Sequence, residues 1–168
     1  MKQVIQNFKS GELYVDEVPL PSISEGMVLV ENKFSLISAG TERGTVKVGK
    51  ASLIGKAKQR PDLVAQVLQN IKKEGLKATL DKVRTKLDSL KALGYSTSGV
   101  VIASMDTNNR FQVGDRVACA GQDYASHSEI VAIPQNLVAK IPDNVSFEDA
   151  SYTTLGAIAL QGVRQSEP

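Results

Sequence analysis

Phe111-Gln112-Val113-Gly114-Asp115-Arg116-Val117-Ala118 has the form of a tight turn feeding a β-strand, and the fold can be read outward from it. Gly114 can take the positive φ that such a connection demands. Asp115 can accept from nearby backbone amides, and Arg116 can pair across strands. Upstream, Gly99-Val100-Val101-Ile102-Ala103 reads as a strand and Asp106-Thr107-Asn108-Asn109 as a turn. Downstream, residues 128–134 and 137–141 read as two more strands. Ser146, followed by Glu148 and Asp149, has the form of an N-cap with acids in the first turn of a C-terminal helix.

Residues 1–43 extend the β pattern. Residues 3–8 and 13–18 are short strands with a turn at Lys9-Ser10-Gly11-Glu12. Pro19 and Pro21 interrupt, and residues 27–37 form a long strand ending at Ser38-Ala39-Gly40-Thr41. Between Gly44 and Leu93 the periodicity turns helical. Pro61 and Asp62 suit a first turn, Leu63, Val64, Val67, Leu68 and Ile71 share a face, and Gly75 is a stop. A second stripe runs Leu76, Leu80, Val83, Leu87 and Leu90. This middle segment holds twelve Lys/Arg against four Asp/Glu, a net of +8, whereas the rest of the chain carries −6. Several short strands at regular spacing, interrupted by two amphipathic helices, predict a mainly-β sandwich or small barrel with an inserted helical hairpin.

The 168 residues suffice for one domain with a core, or one domain with an appendage. Cys119 is the only cysteine, which excludes an internal disulfide and a structural zinc site built from several thiolates. No apolar run approaches the roughly 20 residues of a membrane span. Met1-Lys2-Gln3-Val4 runs straight into a strand pattern without the apolar stretch of a signal peptide. A cytoplasmic protein without a membrane partner is the expectation.

Taken in order, these pieces resemble the catalytic domain of the medium-chain dehydrogenases/reductases, whose core is like that of the co-chaperonin GroES. Ser38-Ala39-Gly40-Thr41-Glu42 is similar to the loop where zinc-dependent members carry Cys-Gly-(Ser/Thr)-Asp. Gly94-Tyr95-Ser96-Thr97-Ser98-Gly99-Val100-Val101 resembles their Gly-His-Glu-x-x-Gly-x-Val. Residues 111–117 match their Phe-x-x-Gly-Asp-Arg-Val turn, and residues 128–150 follow the family's run into its interdomain helix. The resemblance covers residues 1–43 and 94–168. It implies a GroES-like, partly open β-barrel with a C-terminal helix, residues 44–93 being a basic helical insertion. It also implies an NAD(P)-dependent oxidoreductase acting on an alcohol or carbonyl substrate. Its nucleotide-binding Rossmann domain would begin just after Pro168 and is the expected partner, without which the chain would be inactive. No Gly-x-Gly-x-x-Gly stands in the sequence.

Catalytic zinc needs three protein ligands and an open fourth position. The matching positions hold Ala39, Tyr95 and Ser96, and Thr154 stands where some members place a further Cys. No metal site and no zinc are therefore expected, and hydroxyl groups at these positions would take over the polarisation of a substrate oxygen. Thr41 matches the hydroxyl that relays a proton in zinc-dependent relatives, and Tyr95 can place its phenol in the vacated region. These two are the candidate catalytic residues. Gly40, Thr154 and Gly156 match segments that approach the nicotinamide. Glu42 reads as structural, pairing with Arg43 or Arg116. His127 reads as a surface or satisfied histidine, and Cys119 as an inert buried thiol.

The long insertion departs from the common family pattern. It resembles a bacterial subgroup in which the dehydrogenase is fused to a second oxidoreductase domain, with sugar-type substrates implied. A solvated hairpin, a lid drawing in an anionic substrate and an oligomer contact are the readings open to it. Without aromatic residues between the lysines, nucleic acid is not an expected partner. The rival for the whole chain is a non-catalytic GroES-like binding or co-chaperonin-type module. Co-chaperonins are shorter, however, and carry an early glycine-rich mobile loop that this sequence lacks.

Overall fold

A computed structural model describes residues 1–7, 10–50, 55, 58, 61–87 and 90–166. At the turn, Gly114 takes φ +95°, the Gln112 amide donates to the Asp115 carboxylate at 2.8 Å, and strand β6 leaves at Arg116. Numbering strands along the chain, β1 is Lys2–Asn7, β2 Leu13–Glu17, β3 Met27–Ser35, β4 Leu90–Ala92, β5 Ser96–Ser104, β6 Arg116–Ala120, β7 Ile130–Pro134 and β8 Val138–Lys140. One sheet has the order β7-β3-β5-β6-β8 and is antiparallel throughout; the other is β2-β1-β4. The fold is mainly β, as expected, and among the described residues neither sheet closes on itself.

The chain divides into two compact units, residues 1–4, 15–37 and 92–168 in one, and residues 5–14 and 38–91 in the other. In the first, strand alternation sends Val28 and Val30 of β3, Val131 and Ile133 of β7, and Val117 and Cys119 of β6 into one buried cluster. Phe111, delivered by the turn, completes it. The opposite face of β6 packs Ala118 against Ile141 and Ala150. The anticipated N-cap is present: Ser146 Oγ accepts from Asp149 N at 3.0 Å and opens the short helix α4 (Phe147–Ala150).

Asp106 organises the turn before Phe111. Only 8% exposed, its carboxylate accepts from the amides of Asn108, Arg110 and Phe111 at 3.0, 2.6 and 3.1 Å. Burial pushes its pKa up, but the three amides outweigh it and hold the carboxyl below its ordinary 3.8. A folded-state pKa below the unfolded one adds stability above the unfolded value, and that stability is lost as pH falls through the lowered one. Asp106→Asn is therefore expected to lower the thermal midpoint at pH 7 and to flatten the acid limb below pH 4. Thermal scans over pH 2–7 check this, and parallel acid limbs would contradict it.

In the second unit, α2 (Pro61–Glu74) begins at Pro61 with Asp62 in its first turn and stops at Gly75, which takes φ +87°. Helix α3 (Leu76–Leu87) returns against α2, with Thr79 buried and its hydroxyl on the Gly75 carbonyl at 2.9 Å. Lys82 pairs with Glu74 across the hairpin. The side chains of Leu63 and Leu87 lie outside the described residues.

Two readings are corrected. Residues 39–43 do not end a strand as an open loop. They begin a helix, α1 (Ala39–Lys50), whose first backbone bond runs from Glu42 N to Ser38 O at 2.9 Å. The Glu42 carboxylate accepts the Ser38 amide at 2.9 Å, meeting one of the orphan donors of a helix start. Glu42 is thus structural, through Ser38. Leu90, read as the last member of the α3 stripe, instead opens β4.

Candidate active site

Gly94 precedes the site with φ +99°, and a Cβ there would stand 2.7 Å from the His127 amide nitrogen, so only glycine fits. His127 is half-buried. Its amide donates to Leu93 O at 2.7 Å, its carbonyl accepts from Val4 N at 2.8 Å, and its Nδ1 lies 2.9 Å from Ser35 Oγ. It ties backbone segments together, as a satisfied histidine does.

Tyr95 follows, half-buried, its carbonyl accepting from Gly121 N at 3.0 Å. No hydrogen bond holds its hydroxyl among the described residues. Ser96, 1% exposed, differs: its hydroxyl donates to the Ser151 carbonyl at 2.6 Å, and Ser98 does the same to Phe147. These serines fasten β5 to helix α4 and the residue after it. The expectation that Ser96 helps polarise a substrate is therefore corrected, because its one proton is already committed to a buried carbonyl. Arg116, expected to pair across strands, donates instead to the carbonyls of Pro142, Asp143 and Val145, with its guanidinium 4.6 Å from the centroid of the Phe147 ring. Asp115 takes the ion pair with Lys140 at 2.8 Å, and Lys140 first, then the Gln112 amide, holds its carboxyl below the usual range.

Helix α5 (Thr153–Gln165) stands against β6 and β5, and a mainly apolar groove of about 500 Å³ lies along it, with residues of β6 and β8 in its walls. Cys119, Leu137, Val138, Thr153, Thr154 and Ile158 are among its walls. Thr153 Oγ1 donates to Ala150 O at 2.7 Å, whereas Thr154 Oγ1 is buried with no hydrogen-bond partner. Such an atom is costly unless something completes it. Burial pushes the Cys119 thiol up to about 12, against a small opposing pull from Thr97, so it is a wall and not a nucleophile. Cys119 and Leu137 are groove residues that no motif in the sequence marks.

Thr154 lines the groove; Gly156, exposed on the same helix, and Tyr95 do not. Gly40 and Thr41 are exposed in the first turn of α1, in the other unit. Ala39 there offers no ligand atom, and among the described residues no three His, Cys, Asp or Glu side chains gather as a metal ion requires.

No family model matches the chain. A quinone oxidoreductase from Pseudomonas aeruginosa is 33% identical over 69 residues, which span 41% of this chain and 21% of that protein. Among solved structures, the quinone oxidoreductase from Coxiella burnetii matches with a TM-score of 0.66 at 20% identity, over 99% of this chain and 45% of that one. The Escherichia coli quinone oxidoreductase complexed with NADPH matches with a TM-score of 0.58 at 17% identity, over 91% and 37%. The chain thus spans less than half the length of each of these proteins.

Proposed function

We propose that this chain, taken as a member of the medium-chain dehydrogenase/reductase superfamily with which its sequence and fold agree, is the substrate-side domain of a zinc-independent, NAD(P)-dependent oxidoreductase. The domain comprises residues 1–43 and 94–168, and residues 44–93 are its insertion. It acts on a carbonyl or alcohol, of sugar type in the subgroup the insertion resembles. It turns over only with a nucleotide-binding domain, and the protein is cytoplasmic.

The observation that carries this reading is the pair of residues at the head of β5. Where zinc-dependent relatives place His-Glu, the chain has Tyr95 with an unheld hydroxyl and Ser96 with a committed one. The residues present do not fit zinc, and no step runs through it. A phenol needs no metal to donate to an oxygen on which negative charge develops, and a fixed donor lowers the barrier without reorganising. Thr41, matched from the resemblance, is the second hydroxyl candidate, for proton relay.

The residues do fit a nicotinamide. The groove beside α5 is mainly apolar, and the buried, unpartnered Thr154 hydroxyl suits a carboxamide. Gly40 and Gly156 are the further cofactor contacts that the resemblance implies. A bound nicotinamide would supply or accept the hydride; the chain's own residues orient it and hold the substrate oxygen.

Two measurements test the proposal. Joined to a nucleotide-binding domain, the protein should show substrate-dependent oxidation or reduction of a nicotinamide, undiminished after dialysis against a chelator. Metal analysis of the purified chain should find far less than about one zinc per chain, the stoichiometry of a catalytic site. A full equivalent, or activity lost to the chelator and restored by zinc, would overturn the metal-free reading.

A further inference from the structure

The α2–α3 hairpin has an apolar stripe wider than its own packing covers. On α2, Val67 and Ile71 are half-buried, but Val64 and Leu68 on the flank of that face are 38% and 56% exposed. Lys72 continues their row at the next i+4 position, one turn on. On α3, Thr79 is buried and Val83 half-buried, whereas Leu76 and Leu80 are 59% and 47% exposed with Lys77 beside them. Each helix thus carries two exposed apolar residues on one flank with a lysine at the edge. Lys72, Lys73 and Lys77 are exposed and have no carboxylate partner among the described residues. Around them, residues 44–93 carry a net +8.

From this combination we infer that the hairpin seats on an anionic lipid surface. Leucines sink to the boundary between headgroups and acyl chains, while lysine stems lie along the same boundary and their ammonium groups meet lipid phosphates. The charge complements such a surface and argues against the other occupants. A second copy would set +8 against +8. A nucleic acid would satisfy the lysines and leave the leucines in water. No helix among the described residues is long and apolar enough to cross a membrane, but lying on one requires only the exposed stripe.

Co-sedimentation of the full chain with phosphatidylcholine vesicles, plain or containing roughly one-third phosphatidylglycerol, tests this. The chain should pellet with the anionic vesicles alone, and less as salt shortens the screening length. The triple variant Lys72→Gln, Lys73→Gln, Lys77→Gln should weaken binding on the order of a hundredfold. Leu68→Gln with Leu76→Gln and Leu80→Gln should do the same at unchanged circular dichroism. If that variant loses helix, the lysine variant and the salt series still decide. Equal binding to neutral vesicles, no binding, indifference to the lysine changes, an equally tight gel shift on DNA, or self-association that hides the leucines would each overturn the inference.

Discussion

Replacing Gly99 by alanine should destabilise the folded chain by about 3 kcal/mol or more, the upper end for an overpacked site. Gly99 faces Asn32 in the β3–β5 ladder, beside a register irregularity between Asn32 and Phe34. A Cβ there would stand 2.1 Å from the Glu31 carbonyl oxygen and 2.8 Å from its carbon. The obstacle is backbone, so no rotamer change relieves it. Neither strand can step back: β3 is held by β7 on its other side, and β5 by β6. A glycine inside a strand often marks such a close backbone approach. Gly114→Ala is the control. That residue has φ +95° but nothing within 4 Å of its would-be Cβ, so the cost is the left-handed backbone alone, roughly 1–2 kcal/mol. Urea unfolding of both variants measures the difference. Equal losses, or a Gly99→Ala protein as stable as the parent, would show that the strands separate more readily than their pairing implies.

The contrast between these glycines also separates what is legible in the amino-acid sequence from what is not. Gly114 and Gly75 are legible because their roles are local, a turn and a helix stop, and both take positive φ. The α2–α3 hairpin is legible because its period and its start at Pro61 lie within a few residues of one another. The helix over residues 39–50 is not. It carries three glycines, each a poor helix former, and what sets its start is the Glu42 carboxylate folding back onto Ser38. Leu90 fits a helical stripe by spacing, but pairing in a sheet prevails over periodicity, a tertiary effect that a local pattern cannot report. At the site, Tyr95 and Thr154 can be named from motif order. That Ser96 is occupied cannot, because its partner, the Ser151 carbonyl, is 55 residues away.

That occupancy sharpens the test of the proposed function, in which the Tyr95 hydroxyl at the head of β5 serves the substrate. With a nucleotide-binding domain in the same polypeptide, Tyr95→Phe is expected to lower kcat by about 10²–10³ while KM moves only severalfold. Phenylalanine keeps the half-buried ring and its packing and removes only the donor, so stabilisation is lost where charge develops and not where the substrate first binds. A tyrosine serving only the core would behave differently: kcat would stay within about twofold, because nothing aimed at the transition state would have been removed. Ser96→Ala supplies the opposite pattern. It strips the hydroxyl that fastens β5 to Ser151, leaving a buried carbonyl unsatisfied at a cost of about 1–3 kcal/mol, and should lower stability more than turnover per folded molecule. Thr41→Val, nearly isosteric, asks the same question of the proton-relay candidate, with a loss of about 10²-fold expected if it carries the proton. Should Tyr95→Phe leave kcat intact while Thr41→Val abolishes it, polarisation by the phenol is wrong and the relay alone stands.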